Sequence, residues 1–229
     1  MRWVRAWMFR VIMLNTRRDL LKACSGIWFV PPVAAFTDED WLHRDPQDWS
    51  GEDIQKILNH SGWIREVPLV VDPAQAGDRK GSHRPLPRPS GFEIIVRWES
   101  ALPVRLARRT TPAPVKAIDQ YILSIGGIPV DFLAASYQPR PADSAAQERI
   151  ATELAHNCSI LLAGQTIHAE HAEWQYGNFA NAVVVTFPRT TTPIQSSSGE
   201  AIVHGRIGMT SFQATFHLKL MTYRGKVEL

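Results

Sequence analysis

Phe92–Trp98 reads FEIIVRW, and its alternation decides the fold class. Phe92, Ile94, Val96 and Trp98 fall on one face and Glu93, Ile95 and Arg97 on the other, which is the period of a half-buried β-strand. Directly after it, Glu99–Val104 (ESALPV) reads as a strand exit running into a short helical turn. Further on, Tyr121–Ile125 (YILSI) reads as the next strand, closed by Gly126-Gly127 as a bulge or turn. On the other side, Glu66–Val71 (EVPLVV) is a strand, and Pro68 assigns it to a sheet edge because proline has no N–H to donate. The stretch 72–91, rich in Pro, Gly and charge, is expected to be a mobile loop.

The later half repeats the pattern. Ser159–Ala163 and Ile167–Trp174 are expected to pair around Gly164-Gln165, and Ala182–Phe187 (AVVVTF) is β-branched throughout. Glu200–Arg206, Ser211–Met221 and Tyr223–Leu229 complete the series. In the second of these Phe212, Ala214, Phe216, Leu218 and Leu220 alternate. Two helices interrupt the strands. Ser50 and Asp53 form a variant capping box, Trp49 and Ile54 have the spacing of a hydrophobic staple, and Ile54, Ile57 and Leu58 make one apolar stripe. That helix covers 51–61 and is ended by Gly62. A second box, Ser144 with Gln147, opens a helix over 144–156 carrying Ile150, Ala151 and Leu154. The fold expected is mainly β (α+β): an antiparallel β-sandwich or curled partial barrel with two or three short helices over an open end or a sheet face.

Ahead of this body lies Thr16–Ala35, TRRDLLKACSGIWFVPPVAA. Arg17-Arg18 followed by Asp19, two leucines and Lys22 resembles the signal read by the bacterial twin-arginine export machinery. A short run from Ala23 to Val33 follows, then Val33-Ala34-Ala35 with small residues where a signal peptidase cuts. The run is too short to span a bilayer and Pro31-Pro32 breaks it. The expectation is a signal peptide over 1–35, cleavage after Ala35, a periplasmic or secreted protein, and no membrane span in the mature chain. Met13 would also serve as a conventional start for such a signal.

Charge changes meaning with the leader removed. The whole chain has 25 basic and 22 acidic residues. Residues 1–35 hold six of the basic and one of the acidic, so the chain from Phe36 has 19 against 21 and a formal net charge of −2. Nucleic-acid binding needs a basic surplus, and none remains. Cys24 leaves with the leader, and Cys158 alone cannot form an internal disulfide. Beside an apolar run, Cys158 reads as a buried small hydrophobe. The remaining residues, 36–229, suffice for a single β-rich domain.

Several stretches share a resemblance. DWSGEDIQKILNHSGW, VRWESALPV, FPR at Phe187–Arg189 and FHLKLMTYRGKVEL resemble the landmarks of an uncharacterised family of exported acidobacterial proteins, over about residues 40 to 229. The resemblance implies export; the family has no known activity, so no site residue follows from it. Gly62 stands where those proteins usually carry proline.

The candidate chemistry is sparse. His168 and Glu170 of HAEH share one strand face and His171 takes the other. His204 or His217 from neighbouring strands would complete a metal site, so His168, Glu170 and His204 are the candidate ligands. The competing reading is a solvated polar face. Glu99 and Ser100 end a strong strand, but no Gly-x-Ser-x-Gly elbow is present, and a helix-capping role for Ser100 is the plainer reading. Trp41, Trp49, Trp63, Trp98 and Trp174 would line a sugar-binding face if exposed, or the core if not. No phosphate loop, dinucleotide fingerprint or paired-cysteine site occurs. The function expected is a non-enzymatic binding or structural module of the cell envelope, with no cofactor and an envelope partner or ligand. The alternatives are a small apolar-ligand carrier with a cavity in the curled sheet, or a metal-dependent hydrolase using His168, Glu170 and His204.

Overall fold

A computed structural model describes residues 40–71, 88–109, 118–134, 143–176, 182–190 and 194–229. The expected leader over 1–35 lies outside them, as does 72–87 of the expected loop. Asp40–Leu229 packs as one compact unit.

The strands are β1 (Ile64–Val71), β2 (Arg88–Trp98), β3 (Gln120–Gly126), β4 (Ser159–Leu162), β5 (Gln165–His168), β6 (His171–Gln175), β7 (Ala182–Pro188), β8 (Glu200–Ile207) and β9 (Thr210–His217). They form one antiparallel sheet in the order β5-β4-β8-β9-β1-β2-β3-β7-β6. A separate small ladder pairs β10 (Thr222–Tyr223) with β11 (Lys226–Val227). The helices are α1 (Gly51–Asn59), α2 (Leu102–Ala107), α3 (Val130–Ala134) and α4 (Asp143–Asn157). The fold is therefore the curled, mostly β alternative of the two expected.

The curl follows from β5 and β6. They are the two edges of the sheet, yet only Ala169 and Glu170 separate them in the chain. Ala169 N–H donates to Cys158 O at the start of β4, and Glu170 N–H donates to Thr186 O on β7. The dipeptide is thus tied to both ends of the strand order, and the sheet bends into a half-barrel. The expected single strand Ile167–Trp174 is corrected to two strands meeting at this corner. β4 and β5 do pair, through the two-residue turn Ala163-Gly164 with φ 48 and 78. Two positive φ values in succession match the right-handed twist of a hairpin.

Pro68 does not mark an edge: β1 lies between β9 and β2. Its pairing with β9 covers only Val70 and Val71, and the β1–β2 register shifts between Pro68 and Val70. The missing N–H falls where the ladder is interrupted, which is how a proline is held inside a sheet.

The concave face holds the core. Trp98 meets Tyr121 and Phe216 edge-on, with ring centroids 5.6 and 5.9 Å apart. Leu69, Ile94, Val96, Leu123, Ile125, Val185 and Phe187 pack around them, all buried. The acidic aromatic segment before α1 folds as two 3-10 turns, Asp40–Leu42 and Pro46–Asp48. It buries Trp41 against Trp49 and Trp63, both at 6.0 Å. Trp49 Nε1–H donates to Trp41 O at 3.1 Å and Trp63 Nε1–H to Glu228 O at 2.7 Å, so each indole is buried with its donor satisfied.

α1 begins as its sequence dictates, with Ser50 as N-cap and the reciprocal bonds to Asp53 in place. It ends at Asn59, ahead of Gly62, whose role is a close contact with Leu220. The second capping box is corrected: α4 starts at Asp143, which places Ser144 inside the helix, and Gln147 instead accepts from Tyr176 Oη–H. β9 stops at His217, and Leu218–Met221 turns as a 3-10 segment.

Candidate functional site

Strand register decides what becomes of the three proposed metal ligands. Ser159 of β4 pairs with His168 of β5 on one side and with His204 of β8 on the other. The two histidines therefore lie two strand spacings apart, roughly 9–10 Å between backbones. Both are exposed. Glu170 lies past the corner, where its Oε2 accepts from Gln120 Nε2 of β3 at 3.2 Å. Among the described residues no group of three His, Cys, Asp or Glu is placed to hold a metal ion, so this trio is not gathered into one. His217 Nδ1 lies 2.9 Å from Glu200, its cross-strand neighbour.

Glu99 and Ser100 serve architecture. Glu99 N–H and Ser100 N–H both donate to Ile122 O, and Ser100 Oγ accepts from Ile122 N–H at 3.0 Å. Ser100 is thus bound into β3 and caps no helix; the N-cap of α2 is Ala101, with no side-chain bond. Glu99 is buried under Arg108 and Ser124. Cys158 is buried too, and burial pushes its thiol up to about 12, which removes it as a nucleophile at neutral pH.

A concave feature with functional groups on its walls is a cleft of about 490 Å³ between α4 and the edge strand β6. α4 turns Ala146, Ile150 and Leu154 into the core. One flank of the helix then faces outward with Ser144, Gln147, Glu148 and Thr152. Across from it stand His171, Glu173, Trp174 and Tyr176. Trp174 differs from Trp41, Trp49, Trp63 and Trp98, which are all buried. It is half-buried against the margin of the core, and its Nε1–H, like that of the buried Trp98, is shielded from solvent with no acceptor. Tyr176 is 65 % exposed, and its hydroxyl donates to Gln147 Oε1 across the cleft mouth. Glu173 Oε1 accepts from Gln175 Nε2, and Glu173 Oε2 lies 3.8 Å from His171 Nε2.

The cleft offers two aromatic rings, two carboxylates, an imidazole, an amide and hydroxyls on opposed walls. Such a set can stack on a ligand's apolar face and exchange hydrogen bonds with its polar edge. Sequence reasoning named Trp174 but not Tyr176, Glu148 or Glu173. Tyr176, just past the end of β6, could have been found from its spacing of two from Trp174, while nothing local marks Glu148 or Glu173. Compared with family models, curated proteins and solved structures, the chain matches none.

Proposed function

We propose that the chain from Phe36 onward is an exported, non-enzymatic binding module of the bacterial cell envelope, and that the α4–β6 cleft takes a carbohydrate. The observation that carries this reading is Trp174, half-buried at the margin of the core where it lines the cleft beside the exposed Tyr176. Sugars present flat C–H faces to indole and phenol rings and hydroxyls to carboxylates and amides. Export rests on Arg17-Arg18 and the run to Ala35, with the twin-arginine machinery as the first partner.

The other two readings draw less support. A carrier of small apolar ligands needs a hollow sheet, and the described concave face is filled by Trp98, Tyr121, Phe187 and Phe216. A hydrolase on His168, Glu170 and His204 needs those groups together, and Glu170 is held on the other side of the corner.

Affinity electrophoresis of the full chain through gels loaded with soluble peptidoglycan strands or with a neutral glucan tests the proposal. Retention is expected in at least one gel, weakened about tenfold or more by Trp174→Ala, a loss of roughly 1.4 kcal/mol. Wild-type migration unaffected by either glycan would sink the reading, as would equal retention of a folded Trp174→Ala variant. Appearance of new reducing ends would replace it with a hydrolase.

A further inference from the structure

Arg97 sits near the end of β2 on the convex face, opposite Ser124 of β3. The ion pair it forms is a long one, 3.9 Å from Nη1 to Glu99 Oε1. That carboxylate is already engaged. Arg108 Nε lies 2.8 Å from Glu99 Oε2, Arg108 Nη2 donates to Oε1 at 2.8 Å, and Ser124 Oγ–H donates to Oε1 at 2.5 Å. Two guanidinium groups therefore share one carboxylate, and the cluster carries a surplus positive charge. It does so away from water: the side chains of Glu99 and Arg97 are only 6 % and 18 % exposed. Arg97 Nε–H is shielded and meets no acceptor. Burial pulls Arg97 below the ordinary arginine value, and Arg108 pulls in the same direction against Glu99. A partly buried charge without a full partner is unfavourable unless a counter-charge reaches it.

Arg97 lines a second cleft, of about 380 Å³, between the end of α1 and the β1–β2 ladder. Arg65 also lines the cleft, but its guanidinium turns to the other face of the sheet, 5.3 Å from the centroid of the buried Phe216 ring, with Nε donating to Thr215 O at 2.9 Å. His60 and Asn59 line the α1 side, and Glu66 is the acidic member of the lining.

We infer that this second cleft binds an oxyanion, a carboxylate or phosphate group of a ligand, on the terminal nitrogens of the Arg97 guanidinium. A planar guanidinium matches two oxygens of either group at once, which an ammonium cannot do. The site is separate from the α4–β6 cleft and does not depend on the carbohydrate reading.

Titration of the ¹⁵N-labelled full chain, at constant ionic strength, with sodium acetate and separately with inorganic phosphate tests this. The Arg97 Nε–H resonance is expected to move downfield and saturably, with an apparent Kd of about 1–10 mM for a free ion. Arg97→Lys keeps the charge and loses the fork, and should weaken binding about tenfold or more. Arg97→Lys has no such Nε–H, so its binding is read from the cleft-lining amide N–H resonances of Asn59, His60 and Ile64, and unchanged amide positions elsewhere show that the variant is folded. Movement with acetate alone identifies a carboxylate ligand, with phosphate alone a phosphorylated one. No saturable movement up to about 100 mM of either ion would overturn the inference, as would equal movement with chloride.

Discussion

A methyl group at Gly62 would have nowhere to go. Its Cβ would lie 2.1 Å from Leu220 O and 2.6 Å from the Leu220 carbonyl carbon, both backbone atoms of the 3-10 turn after β9. A side chain can swing aside, but a backbone carbonyl moves only with its turn. Gly62→Ala is therefore expected to destabilise the protein by about 1–3 kcal/mol, as forced overpacking does. A melting temperature within a degree of wild type would show that the turn yields freely. The same contact explains a misreading. Glycine after a helix suggests a cap, whereas here the helix has already ended and the residue is small because a segment 158 positions later lies against it. No local pattern reports a contact of that range. Trp174 is the counterpart at the site: its residue type was legible, but its exposure depends on where α4 docks, which neighbouring residues do not encode.

The N-terminus of α1 shows what is legible at the scale of an element. Ser50 Oγ accepts from Asp53 N–H at 3.1 Å, and Ser50 N–H donates to Asp53 Oδ2 at 2.8 Å. Arg44 grips the same carboxylate with both terminal nitrogens, at 3.0 and 3.3 Å. Every member but Arg44 lies within three residues, so sequence spacing sufficed. Ser50→Ala should destabilise by about 1 kcal/mol in a denaturant titration, and an effect under about 0.3 kcal/mol would argue that the cap is idle. The Ser50 hydrogen bonds, with Arg44 and Lys56 adding to them, hold the Asp53 carboxyl below the usual carboxylate value despite its burial. A depressed native value means stability that is complete above the ordinary carboxylate range and is lost as pH falls through the native one. The Ser50→Ala difference should thus shrink in acid, below about pH 4, and a difference that grew there would contradict the assignment. The strand break at Ala169-Glu170 was also written in the chain, though as a change of phase. Ile167 is buried before it, and Ala172 after it, five positions on, where strict alternation would leave an exposed residue. Likewise Leu218 and Met221 are buried while Leu220 is 51 % exposed, which is the shift from strand to 3-10 turn.

For the whole molecule, alternation fixed the class but left sandwich and curled sheet equally open, because both bury one face of every strand. The choice is made by the two-residue connection between the edge strands, a distance constraint that hydrophobic pattern does not carry. Asp40–Leu229 then closes its own core, from Trp41 at one end to the buried Leu229 at the other. A body of this kind should not need the preceding residues for stability. The chain begun at Phe36 is expected to melt within about 2 °C of the full chain, since no part of the described core is lost to it. In a bacterial host with an active twin-arginine system, the exported protein should have the intact mass of residues 36–229. Arg17-Arg18→Lys-Lys should leave it inside the cytoplasm at full length. Removal of the leader would take six basic residues and one acidic one, so the exported form should also focus at a lower pH than the full chain. A truncated chain that fails to fold, or an envelope form that keeps its first 35 residues, would undo the export reading and the charge argument with it, because both treat that segment as separable from the sheet.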